Sequence, residues 1–190
     1  ELMDEILDAM EGREHRCEFD GVEAVEKVDG RYCFVPVSHK VTLGQIVETL
    51  QKFKTHPQTL MTPDFTPGCF EKKLYSMYLS YLPEEKTIYN LKMNIDDRGS
   101  FTELVHTVNA GQVSVNITKP GITKGMHWHN LKTEEFIVVS GKAQIRERNL
   151  LNDEIRVYEV SGDKIQSVIM LPGYTHEITN TGDTDLVTIM

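Results

Sequence analysis

The spacing of apolar residues changes near residue 88, and this change constrains the fold more than any other feature of the sequence. From Tyr89 onward the period is two: Val113, Val115 and Ile117 alternate with polar residues, as in a half-buried strand. The same pattern predicts further strands at 101–108, 135–139, 142–148, 155–160, 166–171 and 185–190. Many short strands separated by Gly, Pro and Asn turn signals, with no helix between them, predict a mainly β barrel or jelly roll.

The residues before 88 have a helical period instead. Three amphipathic helices are predicted, at 2–10, 43–54 and 70–82. Thr42 is a candidate N-cap of the second helix, a short strand is predicted at 31–37, and the Pro- and Thr-rich stretch 56–68 is predicted to be an irregular linker. We therefore divide the chain into an α-rich part, residues 1–82, and a β domain, residues 88–190.

The charge and the cysteines exclude several classes of function. There are 20 Lys and Arg against 29 Asp and Glu, so the formal net charge of −9 repels nucleic acid and anionic membrane surfaces. No apolar run approaches the roughly 20 residues that a membrane helix needs, and the acidic first residues are unlike a signal peptide. The three cysteines contain no C-x-x-C pair, so neither a disulfide framework nor a thiolate metal site is expected. We expect a cytoplasmic protein that binds neither nucleic acid nor membrane.

Four potential metal ligands lie in two short stretches of the β domain. His127 and His129 are two residues apart, so in a strand both imidazoles would project from one face. Glu134 follows across a short turn, and His176 comes from another strand. Three imidazole nitrogens and a carboxylate suit a divalent transition metal such as zinc, iron, nickel or manganese. From spacing alone, histidines with a purely structural role are an equally good interpretation.

The spacing of these residues resembles the two sequence motifs of the cupin superfamily. The first motif reads Gly121-x5-His127-x-His129-x4-Glu134-x6-Gly141. The second reads Pro172-Gly173-x2-His176-x3-Asn180, with Pro and Gly directly adjacent and Gln166 where a Gly is usual. The resemblance implies a cupin jelly roll in which His127, His129, Glu134 and His176 bind one divalent metal ion, and we favour zinc.

A closer resemblance covers almost the whole chain. The sequence segments on which this resemblance rests include Asp96-Asp97-Arg98-Gly99-Ser100-Phe101, Lys119-Pro120-Gly121-Ile122-Thr123-Lys124-Gly125 and Val138-Val139-Ser140-Gly141-Lys142. They are similar to the C-terminal cupin of the bifunctional reductase/epimerase family that helps make UDP-N-acetyl-L-fucosamine for capsular polysaccharide. In that family a short-chain dehydrogenase/reductase domain precedes the cupin, and residues 1–82 resemble the end of its substrate lobe and its linker helix.

The resemblance also implies that most of the reductase domain is missing. The chain starts at Glu1 within an apolar periodic segment and ends in a predicted strand, so we expect a fragment of a longer polypeptide. No Gly-rich dinucleotide fingerprint follows a strand near the start, and no Tyr-x-x-x-Lys occurs. We therefore expect NADPH to bind only the missing reductase domain.

The implied reaction is epimerisation of carbon 3 in a UDP-linked 4-keto-6-deoxy-N-acetylhexosamine. Removal of a proton beside a ketone creates an enolate, whose oxygen needs a positive partner such as a metal ion. Side chains must remove and return the proton, and Lys124 and Tyr174 are our first candidates because they precede ligand residues by three and two positions. Lys142 and His106 are further titratable candidates. For Lys124 and Tyr174 alike, a solvated surface group is an equally good interpretation.

Two other classes of function stay open from the sequence. A cupin that only binds UDP-sugars around a structural metal would never exchange the carbon 3 proton with solvent. A cupin dioxygenase would need iron and would consume oxygen, because three histidines and a glutamate also hold redox metals.

The resemblance further implies a homodimer through the cupin, in which strands of the two chains cover each other's sheet edges. The strand-like stretch 87–94 leads into the barrel and carries apolar residues at Ile88, Tyr89, Leu91 and Met93. This stretch is our candidate for the exchanged strand.

Overall fold

The computed structural model describes residues 3, 6, 7, 10–13, 39–108 and 111–190. The chain divides into two compact units, Glu1–Glu48 and Thr49–Met190. In the first unit, the described residues of the predicted helix at 2–10 are helical and exposed; they are Met3, Ile6, Leu7 and Met10. The strand predicted at 31–37 lies outside the described residues.

Helix α1 spans Leu43–Thr59 and begins with the predicted Thr42 cap. The Gln45 backbone N–H donates to the Thr42 hydroxyl oxygen at 3.2 Å, and the Thr42 N–H donates to the Gln45 side-chain oxygen at 2.7 Å. The linker predicted from residue 56 is wrong at its start, because the helix continues through Pro57. Leu60 ends the helix with a left-handed φ of 56°.

The second helix explains why α1 continues past a helix-breaking residue. Helix α2 spans Phe70–Ser80 and is N-capped by Cys69. Phe53 of α1 is 3% exposed, and its ring centroid lies 4.9 Å from that of Tyr75 and 5.6 Å from that of Tyr78. This aromatic packing outweighs the local preference against proline in the last turn of α1. Neither helix, nor any other among the described residues, is long and apolar enough to span a membrane.

Strands make up most of the remaining chain. In the part of the chain that the structure describes, they are β1 Met93–Asp96, β2 Gly99–Thr107, β3 Gly111–Thr118, β4 Thr123–His127, β5 Glu134–Ser140, β6 Lys142–Asn149, β7 Ile155–Ser161, β8 Ser167–Met170, β9 Tyr174–Asn180 and β10 Leu186–Ile189. They form two antiparallel sheets with strand orders β1-β2-β3-β10-β5-β8 and β4-β9-β6-β7. The predicted mainly β architecture is confirmed.

Inward-facing residues of both sheets build one hydrophobic core, because β5, β6, β8, β9 and β10 bury alternate side chains. Its buried members are Phe136, Val138, Ala143, Ile145, Val160, Val168, Met170, Ile178 and Leu186. The two sheets therefore enclose a common interior, and several polar residues of the same inner faces also lie inside it.

Hydrophobic alternation predicted no bounds for strands β4 and β9, although the ligand motifs had placed His176 on a strand of its own. Both strands carry site residues. The buried residues of β9 include His176 and Asn180, and β4 contains a single large apolar residue, Met126. Neither strand shows hydrophobic alternation, because the interior that they face is partly polar. Hydrophobic periodicity cannot detect such strands.

In the single chain that the structure describes, residues 87–92 of the stretch predicted at 87–94 are not a strand, and β1 begins at Met93; exchange of this stretch between two chains stays a prediction. A short 3-10 helix at Glu84–Lys86 precedes it, and residues 87–92 have no regular structure. The Thr87 backbone N–H and hydroxyl both donate to the Glu84 carbonyl oxygen, at 3.0 and 2.7 Å. These local hydrogen bonds compete with an extended conformation.

Candidate metal centre

Strands β4 and β9 place two histidines side by side. The strands are antiparallel with His127 opposite His176, and the register shifts between Gly125 and His127. Met126 lies at this bulge with a left-handed φ of 63°. A Cβ added to Gly125 would lie only 2.8 Å from the backbone oxygen of His176, so a glycine is needed where the two strands approach so closely.

His129 reaches the same place from the loop after β4. Strand β4 ends at His127, so the prediction that both histidines project from one strand face is wrong. The His129 carbonyl oxygen accepts a hydrogen bond from the Gly173 N–H at 3.1 Å, which ties this loop to the turn before β9. Glu134 is the first residue of β5, as predicted, and is opposite Met170 of β8.

The four predicted ligands converge at this end of the barrel. One donor atom from each of His127, His129, Glu134 and His176 lies within 4.8 Å of the others, and we call these four residues the metal cluster. The Glu134 Oε2 atom lies 3.2 Å from His129 Nε2 and 3.1 Å from His176 Nε2. The His176 side chain is 1% exposed and that of Glu134 is 15% exposed. The structure thus brings together all four residues that the sequence selected.

Several polar atoms of the metal cluster have no hydrogen-bond partner although they are buried. They are His129 Nε2, Glu134 Oε2 and His176 Nε2. Native structures rarely bury polar atoms without a partner, and such atoms need an explanation. Three imidazoles and one carboxylate with converging donor atoms are the coordination set of a divalent transition metal. The residues present fit a metal ion.

Comparison with known proteins places this geometry in a family. Residues 94–190, just over half of the chain, match the family described as "Polysaccharide biosynthesis C-terminal domain". The chain belongs to this family. It is 36% identical over 156 residues to the UDP-2-acetamido-2,6-beta-L-arabino-hexul-4-ose reductase of Pseudomonas aeruginosa, an alignment that covers 82% of this chain and 42% of the relative.

Solved structures agree with the family assignment. The capsular polysaccharide assembling protein CapF from Staphylococcus aureus is 52% identical with a TM-score of 0.80, over 99% of this chain and 47% of that one. A crystal structure of CapF with the inhibitor 3-isopropenyl-tropolone is also 52% identical, with a TM-score of 0.83 over 99% of this chain and 51% of that one. The chain therefore spans about half the length of these relatives or less.

In this member of the family, burial and neighbouring charges shift the pKa values of two cluster residues. Burial lowers the pKa of His176, and the nearby His127 lowers it further, although Glu134 opposes both effects. Burial alone would raise the pKa of Glu134, but a hydrogen bond and charge from Lys132, with smaller contributions from the histidines, leave it below its ordinary value. A neutral imidazole and an ionised carboxylate are the forms that bind metal.

Lys132 is a site residue that the sequence interpretation missed. Its ammonium group forms an ion pair with Glu134 Oε1, while Oε2 of the same carboxylate faces the histidines. Lys132 stands two residues before Glu134, but its loop position offers no strand period from which the contact could be inferred. The ion pair fixes one carboxylate oxygen and leaves the other directed into the metal cluster.

The proposed proton-transfer residues Lys124 and Tyr174 lie in other surroundings. The Lys124 ammonium donates to Asn116 Oδ1 at 2.7 Å and to the Ile117 carbonyl oxygen at 2.9 Å. Burial lowers the pKa of Lys124, and the charges that act on it are those of Asp96 and Arg98 rather than those of the metal cluster.

Tyr174 opens β9 two residues before His176, and the Arg156 guanidinium carbon lies 5.0 Å from the centre of its ring. This is a cation–π contact, and it holds the ring beside β7. Catalytic roles for Tyr174 and Lys124 stay predictions.

A cavity of about 860 Å³ reaches Glu134 of the metal cluster. Its lining includes Glu134, Lys132, Gln112 and His106. A cavity of this size can hold a small-molecule ligand. Lys142, the remaining titratable candidate from the sequence, lines a different cavity formed by the turns around residues 141, 162 and 182.

Proposed function

We propose that this chain carries a metal-dependent epimerase activity at carbon 3 of a UDP-linked 4-keto-6-deoxy-N-acetylhexosamine, in capsular polysaccharide precursor synthesis. The observation that carries the proposal is the metal cluster, whose buried nitrogen and oxygen atoms converge without hydrogen bonds. The substrate class is supported by 52% identity to CapF and by the name of the Pseudomonas relative, which describes a UDP-linked 4-keto sugar. We propose a cytoplasmic location on the same ground.

Epimerisation needs groups that remove and return a proton, a positive charge near the carbonyl oxygen and space for the sugar. The chain offers residues for each of these. When the C–H bond at carbon 3 breaks, its electron pair is shared with the neighbouring carbonyl as an enolate, and protonation from the opposite face inverts the carbon. A bound divalent metal, zinc in our proposal, supplies positive charge that stabilises the developing oxyanion. The metal cluster would hold the ion, and the adjacent cavity of about 860 Å³ would hold the sugar.

Solvent exchange tests the proposal directly. The zinc-loaded chain is incubated in D2O with a UDP-linked 4-keto-6-deoxy-N-acetylhexosamine, and NMR follows deuterium at carbon 3. We expect exchange with the wild type and a loss of at least about 100-fold in His127→Ala. Lys119→Ala, which removes only a surface ion pair with Asp185, is the matched control and should exchange at the wild-type rate. Lys124→Met and Tyr174→Phe in the same assay test the two sequence-based candidates.

The other candidate functions predict different results in the same experiment. A binding-only cupin would retain the UDP-sugar in equilibrium dialysis and show no deuterium at carbon 3. A dioxygenase would consume oxygen when loaded with iron. Either result, in the absence of exchange, would contradict the epimerase proposal.

We also propose that residues 1–82 are the end of a reductase domain and that residues 88–190 form the epimerase domain. Support comes from the family match at residues 94–190 and from the share of each relative that the chain spans. The chain should then leave NADPH unchanged, since the dinucleotide fingerprint is absent from its sequence. Oxidation of NADPH by the pure chain with a 4-keto sugar nucleotide would contradict this division.

We further propose a homodimer through the β domain. Strand β1 is an edge strand of the described six-stranded sheet, and all four of its residues are exposed, with Ile95 at 72%. An exposed apolar edge favours pairing with another strand. Light scattering at micromolar concentration should therefore give about twice the 21.7 kDa chain mass.

A charge on this edge should dissociate the dimer. Ile95→Lys should shift the mass toward the monomer, whereas Leu151→Lys, at a 96% exposed position between β6 and β7, should not. A monomeric wild type would exclude the dimer.

A further inference from the structure

A bulge in β2 directs two titratable residues to the same side of the sheet. Strand β2 pairs with β3, with Glu103 opposite Ser114 and His106 opposite Gln112, and the register shifts between Glu103 and Val105. Paired residues of antiparallel strands face the same side, and Ser114 and Gln112 are two residues apart on β3. Without the bulge, residues three apart on a strand would face opposite sides. Glu103 and His106 therefore share the face that carries the 2% exposed Ser114.

The imidazole of His106 is directed toward the carboxylate of Glu103. His106 Nε2 lies 3.5 Å from Glu103 Oε2, and this nitrogen is buried without a hydrogen bond. The backbone of His106 is held on both sides: its N–H donates to the Leu60 oxygen and its oxygen accepts from the Thr62 N–H, both at 2.8 Å. The backbone at His106 is thus held by the segment after α1 as well as by the sheet.

His106 lines the same cavity as Glu134 of the metal cluster. The other titratable residues of that lining are Lys132 and Glu135. Lys132 is paired with Glu134, and Glu135 accepts a hydrogen bond from the Ser167 hydroxyl at 2.8 Å. His106 is therefore the titratable residue of the described lining that neither belongs to the metal cluster nor is hydrogen-bonded to a neighbouring side chain.

We propose that His106 transfers the carbon 3 proton of the sugar and that Glu103 is the positioning residue for its imidazole. This inference rests on the proposed epimerase function. The C–H bond at carbon 3 breaks, the proton moves to a neutral ring nitrogen of His106, and the electron pair forms the carbon 3–carbon 4 double bond while the carbonyl pair moves to oxygen. Water then delivers a proton to the opposite face of carbon 3, and the imidazolium returns its own proton to solvent.

The test measures deuterium exchange at carbon 3 and zinc content on the same samples. His106→Ala should lower exchange at least about 100-fold while zinc per chain stays at the wild-type value. Added imidazole should restore a measurable part of the exchange in His106→Ala, because the truncation leaves space in an open cavity. His106→Gln, which preserves most of the side-chain volume, should show the same loss without a change in the circular dichroism melt.

The role of Glu103 has its own readout. Glu103→Gln should lower kcat by about tenfold with KM within about twofold, because the variant misplaces a base rather than a binding group. The matched control is Glu159→Gln, which alters a surface carboxylate that bonds Gln144, and it should leave both constants unchanged.

Two outcomes separate this inference from the function on which it rests. Wild-type exchange that persists in both His106 variants would overturn the role of His106 and leave the epimerase proposal standing. Absence of exchange in the zinc-loaded wild type would overturn both. Loss of zinc in the two His106 variants together with loss of exchange would assign His106 to the metal cluster and would also overturn the inference.

Discussion

Two polar regions lie inside the same barrel, and they differ in how their polar atoms are paired. At one end, the metal cluster holds buried nitrogen and oxygen atoms that have no hydrogen bonds. At the other end, Asn180 donates to the Thr118 and Thr184 carbonyl oxygens at 2.8 Å, and its side-chain oxygen accepts the Gly182 N–H at 2.9 Å. Asn180 and His176 are only four residues apart on β9, about 13 Å along the strand.

This difference in hydrogen bonding shows that burial of a polar residue does not by itself indicate a functional site. His176 and Asn180 are both 1% exposed. The amide of Asn180 meets its hydrogen-bonding capacity within the protein, so its role is to hold the turns at that end together. The Nε2 atom of His176, which faces the metal cluster, has no hydrogen bond, and it therefore needs an external partner. Glu147 supports this rule, since it is fully buried beside His176 but accepts from the Leu171 N–H and the Tyr158 hydroxyl.

The largest expected effect is loss of metal from the metal cluster. His176→Ala should reduce zinc from about one per chain to below about a tenth, because the variant loses the most buried imidazole of the four ligands, and the free energy of metal binding depends on the preformed set. His56→Ala is the control, since this histidine lies outside the barrel and contacts the Met61 carbonyl oxygen at 2.8 Å. Elemental analysis of the dialysed proteins measures the outcome. Full occupancy in both His127→Ala and His176→Ala would refute the ligand assignment.

A smaller effect is expected at Asn180. A substitution there should change the free energy of unfolding and leave the zinc content unchanged. Asn180→Ala leaves buried backbone groups without partners and should lower the free energy of unfolding by about 3 kcal/mol. Asn152→Ala, which removes a single hydrogen bond at an exposed turn, should cost less than about 1 kcal/mol. Urea denaturation gives both values. If Asn180→Ala released zinc from a folded chain, the two regions would not be independent.

The smallest effect is on the pH dependence of stability, and it concerns Lys124, whose ammonium group is hydrogen-bonded within the protein. Burial lowers the pKa of Lys124, so the folded chain binds fewer protons than the unfolded chain between the lowered pKa and the ordinary value of 10.5. In that window the stability of the wild type should rise with pH relative to Lys124→Met. Below the lowered pKa, the cost of burying the charge is present in full. Parallel urea titrations at several pH values measure the difference, and a falling difference would show that the pKa is raised instead.

Hydrophobic alternation was enough to predict the strands that face the apolar core. Strands β5 and β6 carry the buried residues Phe136 and Ile145 at alternating positions, and both were predicted within a few residues of their observed bounds. Strand β3 was also predicted, but its buried alternate residues are the polar Ser114, Asn116 and Thr118, and Val115 lies on its less buried face. Alternation gave no bounds for strands β4 and β9, because their inner faces are partly polar. The helix end at Thr59 was missed because aromatic contacts of Phe53 outweigh the proline at residue 57.

The candidate site was predictable only in part. The ligand set followed from motif spacing and a family resemblance, and the structure brings those four side chains together. The contact between Lys132 and Glu134 could not be predicted, because it depends on a loop conformation. The placement of His106 depends on a bulge in β2 and on the segment after α1, and neither leaves a periodic signal in the sequence.

The pairing of His127 with His176 has a consequence for the order of folding. Three of the cluster residues lie within a stretch of eight, whereas His176 follows Glu134 by 42 positions and reaches the cluster on β9, which is itself hydrogen-bonded to β6. A nascent chain could therefore gather three donors early, but the fourth arrives only after the later strands have docked, and such distant contacts form slowly. With these four residues as ligands, the chain binds the metal at full affinity only after the barrel is complete. A chelator would then destabilise this domain mildly, because removal of the metal also removes the binding free energy that stabilises the fully folded chain.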